Sequence, residues 1–81
     1  MVEALILINT EVGSELEIAD ALKSLEEIKE IYVLYGIYDI FARVEAESIE
    51  KLKEIVAGKI RKIPRVKSTI TMLVVERNRK S

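Results

Sequence analysis

The spacing of apolar residues along this chain alternates between two periods in a fixed order, and that order leaves few folds open. Residues 2–10, VEALILINT, are rich in Ile and Leu and read as a strand. Ala4, Ile6 and Ile8 point one way and Leu5 and Leu7 the other, so both faces of this strand are apolar. After a loop at Val12 and Gly13, the period lengthens to that of a helix. Ile18, Ala21, Leu22 and Leu25 make its inner stripe, and Glu17, Asp20, Lys23 and Glu27 lie largely outward. Ser14 and Glu17 are spaced as a capping box, each side chain bonding the other's backbone N–H, which predicts a helix from Ser14 to about Glu27.

The period then returns to two. Residues 31–35 and 38–46 read as strands interrupted at Gly36, whose tolerance of positive φ suits a tight reversal, so the pair reads as a hairpin. In the second of these, Tyr38, Ile40, Ala42 and Val44 share one face, and Asp39, Phe41, Arg43 and Glu45 the other. Ser48 can cap a second helix with the stripe Ile49, Leu52, Ile55, Val56, Ile60 and Ile63. Gly58 weakens that helix and Pro64 ends it. A last strand over residues 66–76 follows, so residues 1–76 form a single domain; residues 77–81 are a charged tail expected to fray. Strand, helix, strand, strand, helix, strand is the α+β, ferredoxin-like βαββαβ arrangement. Right-handed crossovers place both helices on one face of a four-stranded antiparallel sheet.

The other face of such a sheet is polar in a monomer. Here it is expected to carry Leu5, Leu7, Phe41, Leu73 and Val75, more apolar surface than soluble monomers tolerate. A chain of 81 residues hides only about 60% of its unfolded surface, so burial between subunits helps it. The expectation is a homodimer packed sheet to sheet, as a unit of its own or of a higher assembly.

Composition removes most other classes. There is no cysteine and no histidine, which excludes disulfides and thiolate zinc sites and takes away the commonest base and metal ligand. No apolar run reaches the length of a membrane span and no basic leader precedes the first strand, so the expected location is the cytoplasm. Residues 1–50 carry a balance of −9 and residues 51–81 one of +8. That asymmetry reads either as a basic surface for nucleic acid or as two halves whose charges pair once folded. The absence of Gln, Trp and Cys beside abundant Glu, Lys and Ile is the drift of thermophile proteins.

No catalytic constellation is present. The hydroxyl groups have no base at a recognisable spacing, the acidic pairs Glu26–Glu27 and Glu45–Glu47 read as solvated charges, and the three glycines do not cluster into a phosphate loop. The expectation is a binding module that is not an enzyme and takes neither cofactor nor metal. Asp39, beside Gly36 at the start of an apolar strand, is either a solvated loop end or part of a ligand site. Thr69 and Thr71, two hydroxyls in line on one face beside Leu73, are either ordinary strand formers or donors to a small polar ligand.

Gly36-Ile37-Tyr38-Asp39 resembles the Gly-x-Tyr-Asp motif of the Lrp/AsnC (feast/famine) transcription regulators, in their amino-acid-sensing RAM domain. Its place between strands two and three, and Thr69-Ile70-Thr71 on the last strand, extend the resemblance over essentially the whole chain. The resemblance implies dimers formed through the sheets, assembly into octamers or similar rings, and a free amino acid bound between neighbouring dimers. Carried over residue by residue, it makes Gly36, Tyr38, Asp39, Thr69 and Thr71 the ligand-binding candidates, Asp39 answering the ammonium group. Ile37 stands where relatives are often polar. Relatives carry a helix-turn-helix domain before this one, whereas here Met1 leads directly into the first strand, so a stand-alone effector domain without direct DNA binding is expected. Such a domain acts on transcription through full-length Lrp/AsnC proteins in mixed assemblies or serves as an amino-acid sensor. The alternative is a pure assembly module in which Asp39 and the threonines are structural.

Overall fold

A computed structural model describes residues 1–80. The elements are β1 (Val2–Thr10), α1 (Glu15–Lys23), β2 (Ile28–Val33), β3 (Ile40–Ala46), α2 (Ile49–Ile55) continuing into a π-helical turn (Val56–Ile60), and β4 (Val66–Leu73). The strands form one antiparallel sheet in the order β2-β3-β1-β4. This is the ferredoxin-like α+β arrangement, and the alternation of apolar residues led to it directly. Ala4, Ile6 and Ile8 on β1 and Ile40, Ala42 and Val44 on β3 are fully buried under Ile18 and Leu22 of α1 and Leu52, Ile55 and Ile60 of the second helical segment.

Local chemistry moved several boundaries. α1 stops at Lys23, short of Glu27, because Ser24 turns back on the helix: its N–H and its hydroxyl both donate to the Ala21 carbonyl, the hydroxyl at 2.7 Å. The chain therefore enters β2 at Ile28, three residues early, and leaves it at Val33. The capping box at Ser14 does not form; Ser14 is buried, and only its carbonyl serves the helix, accepting the Ile18 N–H at 3.0 Å. Ser48 does cap α2, its hydroxyl accepting from the Lys51 N–H at 3.1 Å. β4 is regular to Leu73 only, although the Val74 N–H still donates to the Glu3 carbonyl at 2.9 Å. In the tail Arg77 pairs with Glu3 and Asn78 with Glu76, and Ser81 lies outside the described residues.

Two expectations about conformation are corrected. Gly36 does not take a positive φ; the reversal is a loop over residues 34–39, closed by the Leu34 N–H on the Asp39 carbonyl at 2.8 Å, and its length spreads the turn over several residues. Among the described residues the left-handed positions are Gly13 and, at φ 75°, Arg65.

The second correction concerns the open face. Leu5 stands opposite Met72 and Leu7 opposite Ile70, whereas Leu73 stands opposite Ala4, which is buried under the helices. Leu73 is therefore on the helix side, and Val75 lies beyond the strand. Both faces of β4 are part apolar, so alternation alone did not say which way it faced. The open face remains apolar on other residues: Leu5, Leu7, Phe41, Tyr32, Ile70 and Met72, with the Tyr32 and Phe41 rings edge to face at 5.5 Å.

Beside that patch, the open face is ionic. Arg43 bonds Glu3 at 2.8 Å, Glu30 at 2.9 Å and Glu45 at 2.7 Å, and hydrogen bonds to these acids raise its pKa further. The Arg43 bond in turn holds the Glu3 carboxyl below its ordinary range. Lys59–Glu27, Arg65–Glu17 and Arg77–Glu3 join the basic second half of the chain to the acidic first half. Three bases of the second half thus meet acids of the first, and the remaining bases of residues 51–80 form no ion pair among the described residues.

Candidate functional site

Asp39 sits where the 34–39 loop re-enters the sheet, and its backbone is fixed on both sides. Its N–H donates to the Ile8 carbonyl at 3.0 Å, and its carbonyl accepts the Leu34 N–H. Its carboxylate reaches the end of β1: Oδ2 accepts the Thr10 backbone N–H at 2.7 Å and lies 3.3 Å from the Thr10 hydroxyl. That hydroxyl is also 3.2 Å from the Glu11 carbonyl, so one proton serves two acceptors. Thr10 is buried and Asp39 half-buried. Oδ1 makes no hydrogen bond among the described residues, which leaves one carboxylate oxygen available to a donor from outside.

The other hairpin candidates belong to the same loop. Tyr35, Gly36 and Ile37 are exposed and Tyr38 is half-buried. The backbone N–H groups of residues 35–38 have no partner among the described residues, so the loop offers donors beside an anion. An acceptor and a set of backbone donors in one place suit a zwitterion, the anion taking an ammonium group and the N–H groups a carboxylate. Arg65, whose carbonyl accepts the Glu11 N–H just after β1, is already paired with Glu17 at 2.8 Å.

Thr69 and Thr71 are elsewhere. They stand opposite Ile8 and Ile6 on β4, on the helix side of the outer strand. β1 lies between them and β3, and neither hydroxyl is hydrogen-bonded to Asp39. Thr71 lines a separate groove against α2. Thr10, which the motif did not include, is the residue that holds Asp39 in place. Its signal was a polar side chain ending the buried face of β1, at the level where the apolar strand that follows Asp39 begins.

Among the described residues no group of three Asp or Glu side chains is disposed to hold a metal ion. Among the described residues no helix is long and apolar enough to cross a membrane.

Comparison with known proteins places this geometry in context. The model of the Lrp/AsnC ligand binding domain family matches residues 3–81. The crystal structure of FFRP-DM1 is 40% identical, covers 93% of this chain and 100% of its own, and superposes with a TM-score of 0.89. The hypothetical protein PHS023 from Pyrococcus horikoshii is 39% identical over 95% of this chain and 93% of its own, with a TM-score of 0.88. AsnC of E. coli is 30% identical with a TM-score of 0.92, and the match takes in 99% of this chain but 54% of AsnC, so this chain spans about half of that protein. No curated protein matches. The fold, the hairpin motif and the family match over nearly the whole sequence agree, and the chain belongs to the Lrp/AsnC ligand-binding domain family.

Proposed function

We propose that this domain is a regulatory sensor that binds a free amino acid at the 34–39 loop. The observation that carries the reading is the carboxylate of Asp39, anchored through Oδ2 on Thr10 and open at Oδ1, beside the unpartnered N–H groups of the loop. A pre-set anion loses little entropy on meeting an ammonium group, and a charge-assisted bond to it is stronger than a neutral one. Gly36 and Tyr38 frame that site. Thr69 and Thr71, placed on the far side of β1, reach such a ligand only from another subunit, which fits a site between neighbouring dimers. The structure of a transcriptional regulator from Neisseria meningitidis solved as an L-Met complex has the same fold at 13% identity, a likeness of fold alone.

The assembly in this reading is a homodimer built on the apolar open face, gathered into an octamer or a comparable ring and working in the cytoplasm. It modulates transcription with full-length Lrp/AsnC proteins or reports amino-acid levels by itself. The second reading, an assembly module without effector, also has an observation behind it: Asp39 already has a structural task at Thr10.

Asp39→Asn separates the two, because an amide oxygen can still accept the Thr10 N–H while the charge is gone. Native mass spectrometry with a panel of free amino acids is expected to find a dimer-based assembly holding about one ligand per subunit, and Asp39→Asn is expected to keep the assembly and lose the ligand. An assembly that takes up no amino acid in the wild type rejects the sensor and leaves the module.

A further inference from the structure

Among the described residues two positions are left-handed, and the chain fills them differently. At φ 82° in the β1–α1 loop stands Gly13, the residue that adopts this conformation without steric cost. At φ 75° before β4 stands Arg65, which carries a Cβ into it. A side chain held on such a backbone is explained by the contacts it makes or by a ligand it serves. The contacts of Arg65 are few. Among the described residues its guanidinium bonds one group, the Glu17 carboxylate at 2.8 Å, and the two side chains are 50% and 65% exposed. An ion pair so exposed contributes less than a left-handed arginine costs. Arg43 is the contrast: it bonds three carboxylates, is 20% exposed and stands on extended strand backbone. No other base among the described residues stands on left-handed backbone. Nothing the fold does with this guanidinium accounts for an arginine at position 65.

Its place does. Arg65 and Asp39 flank the same end of β1 from opposite sides. Asp39 Oδ2 accepts the Thr10 N–H from the β3 side. On the β4 side Val66 stands opposite Thr10, and the Arg65 carbonyl accepts the next N–H, that of Glu11, at 2.9 Å. An anion with one open oxygen and a cation held by one exposed bond thus lie across the width of a single strand. A molecule that carries both an ammonium group and a carboxylate suits such a pair.

We propose that Arg65 is a latch that moves from Glu17 to the carboxylate of the effector. The inference rests on the reading of Asp39 as part of an amino-acid site and adds a residue to that site. The ammonium group is held at Asp39 Oδ1, and the carboxylate, met by the loop N–H groups, takes the planar fork of Arg65. Glu17, once released, stays solvated in the first turn of α1, where the helix dipole favours an acid. Ligand binding is thereby coupled to the start of α1.

The test reads binding and stability together, because a residue kept for a ligand at the expense of the fold gives them opposite signs. Native mass spectrometry ranks the common free L-amino acids on the wild-type protein, and calorimetric titration with those that bind gives Kd. Arg65→Gly is expected to melt several degrees above wild type, since the strain is gone, and to bind the same amino acids at least about tenfold more weakly. Arg65→Lys keeps the cation and the strain; it is expected to melt as wild type does and to lose about threefold. Glu17→Gln frees the arginine before the ligand arrives and is expected to tighten binding about two- to threefold, which a merely structural Arg65 would not do. An Arg65→Gly variant with wild-type affinity or a lower melting temperature overturns the latch, and so does a Glu17→Gln variant that fails to tighten binding. A wild type that takes up no amino acid overturns the sensor reading and the latch with it, whereas wild-type affinity in Arg65→Gly overturns the latch alone.

Discussion

Asp39 spends half of its carboxylate on the fold, and that division sets what its substitutions do. Replacing it by Ala leaves the buried N–H of Thr10 without an acceptor, an expected cost of about 1–3 kcal/mol. For a domain of this size each kcal/mol moves the melting temperature by about 4–8 °C, so thermal unfolding by circular dichroism resolves it. Asp39→Asn keeps an acceptor and is expected to lie much nearer the wild type; equal melting of the Ala variant and wild type would mean that the Thr10 bond carries no stability. The role of Asp39 was legible in the sequence only in part. Its place beside Gly36 marked it, but whether it was a loop end or a ligand group depended on a partner 29 residues away that no spacing rule supplies. Arg65 was not legible at all. Nothing in Pro64-Arg65-Val66 announces a left-handed arginine, and its φ of 75° follows from how β4 must enter beside Thr10, with the Glu11 N–H closing on the Arg65 carbonyl at 2.9 Å.

At the scale of elements, the order of the strands and of the two helices could be read, because the buried faces of β1, β3 and α2 repeat at periods of two and 3.6. The π-helical turn at Val56–Ile60 inside the expected second helix could not. What could not be read was where polar side chains redirect the backbone. Ser24 ends α1 four residues before its apolar stripe and acids suggest, and Ser14, in a good position for a capping box, is buried instead. The facing of β4 was ambiguous for a different reason: Thr69, Thr71 and Leu73 on one side and Ile70 and Met72 on the other are comparably apolar, and only its register with β1 decides. The weak point of the second helix was legible, and it is testable. Gly58 has a helical rather than left-handed φ, and a Cβ there meets nothing within 4 Å. Gly58→Ala therefore adds no clash and removes freedom from the unfolded chain, an expected gain of about 0.4–1 kcal/mol. The melting temperature is expected to rise by several degrees; a fall would mean that the π-helical turn depends on the glycine.

The molecule as a whole is held by a helix-side core and presents a second apolar surface that one chain cannot bury. Its ionic pairs lie both within the first half of the sequence and between the halves, and one of each kind sets its response to acid. The Arg43 bond lowers the pKa of Glu3 and the Lys59 bond that of Glu27, both from an ordinary value of 4.5. A carboxyl with a lowered folded pKa binds its proton more readily when unfolded, so its contribution is complete above 4.5 and is lost as pH falls through the folded value. Urea midpoints are expected to fall below that pH, and the Glu3→Gln, Glu27→Gln double variant is expected to show a shallower fall. The open face gives the larger effect. Leu5, Leu7, Tyr32, Phe41, Ile70 and Met72 form one continuous surface across all four strands, and Ile70 and Met72 are each about two-fifths exposed. A carboxylate placed at Leu7, in the middle of that surface, costs little in a monomer, where it meets water, and a great deal between two packed sheets, where it is stripped of water without a partner. Leu7→Glu is therefore expected to convert a dimer-based assembly into monomers by light scattering at micromolar concentration, with far-ultraviolet circular dichroism retained. Leu16→Glu is the matched control: Leu16 is 71% exposed on α1, on the opposite side of the sheet, and the same charge there is expected to leave the assembly intact. If both variants assemble as the wild type does, the open face is not where the subunits meet, and the surface that joins them must be sought among the helices.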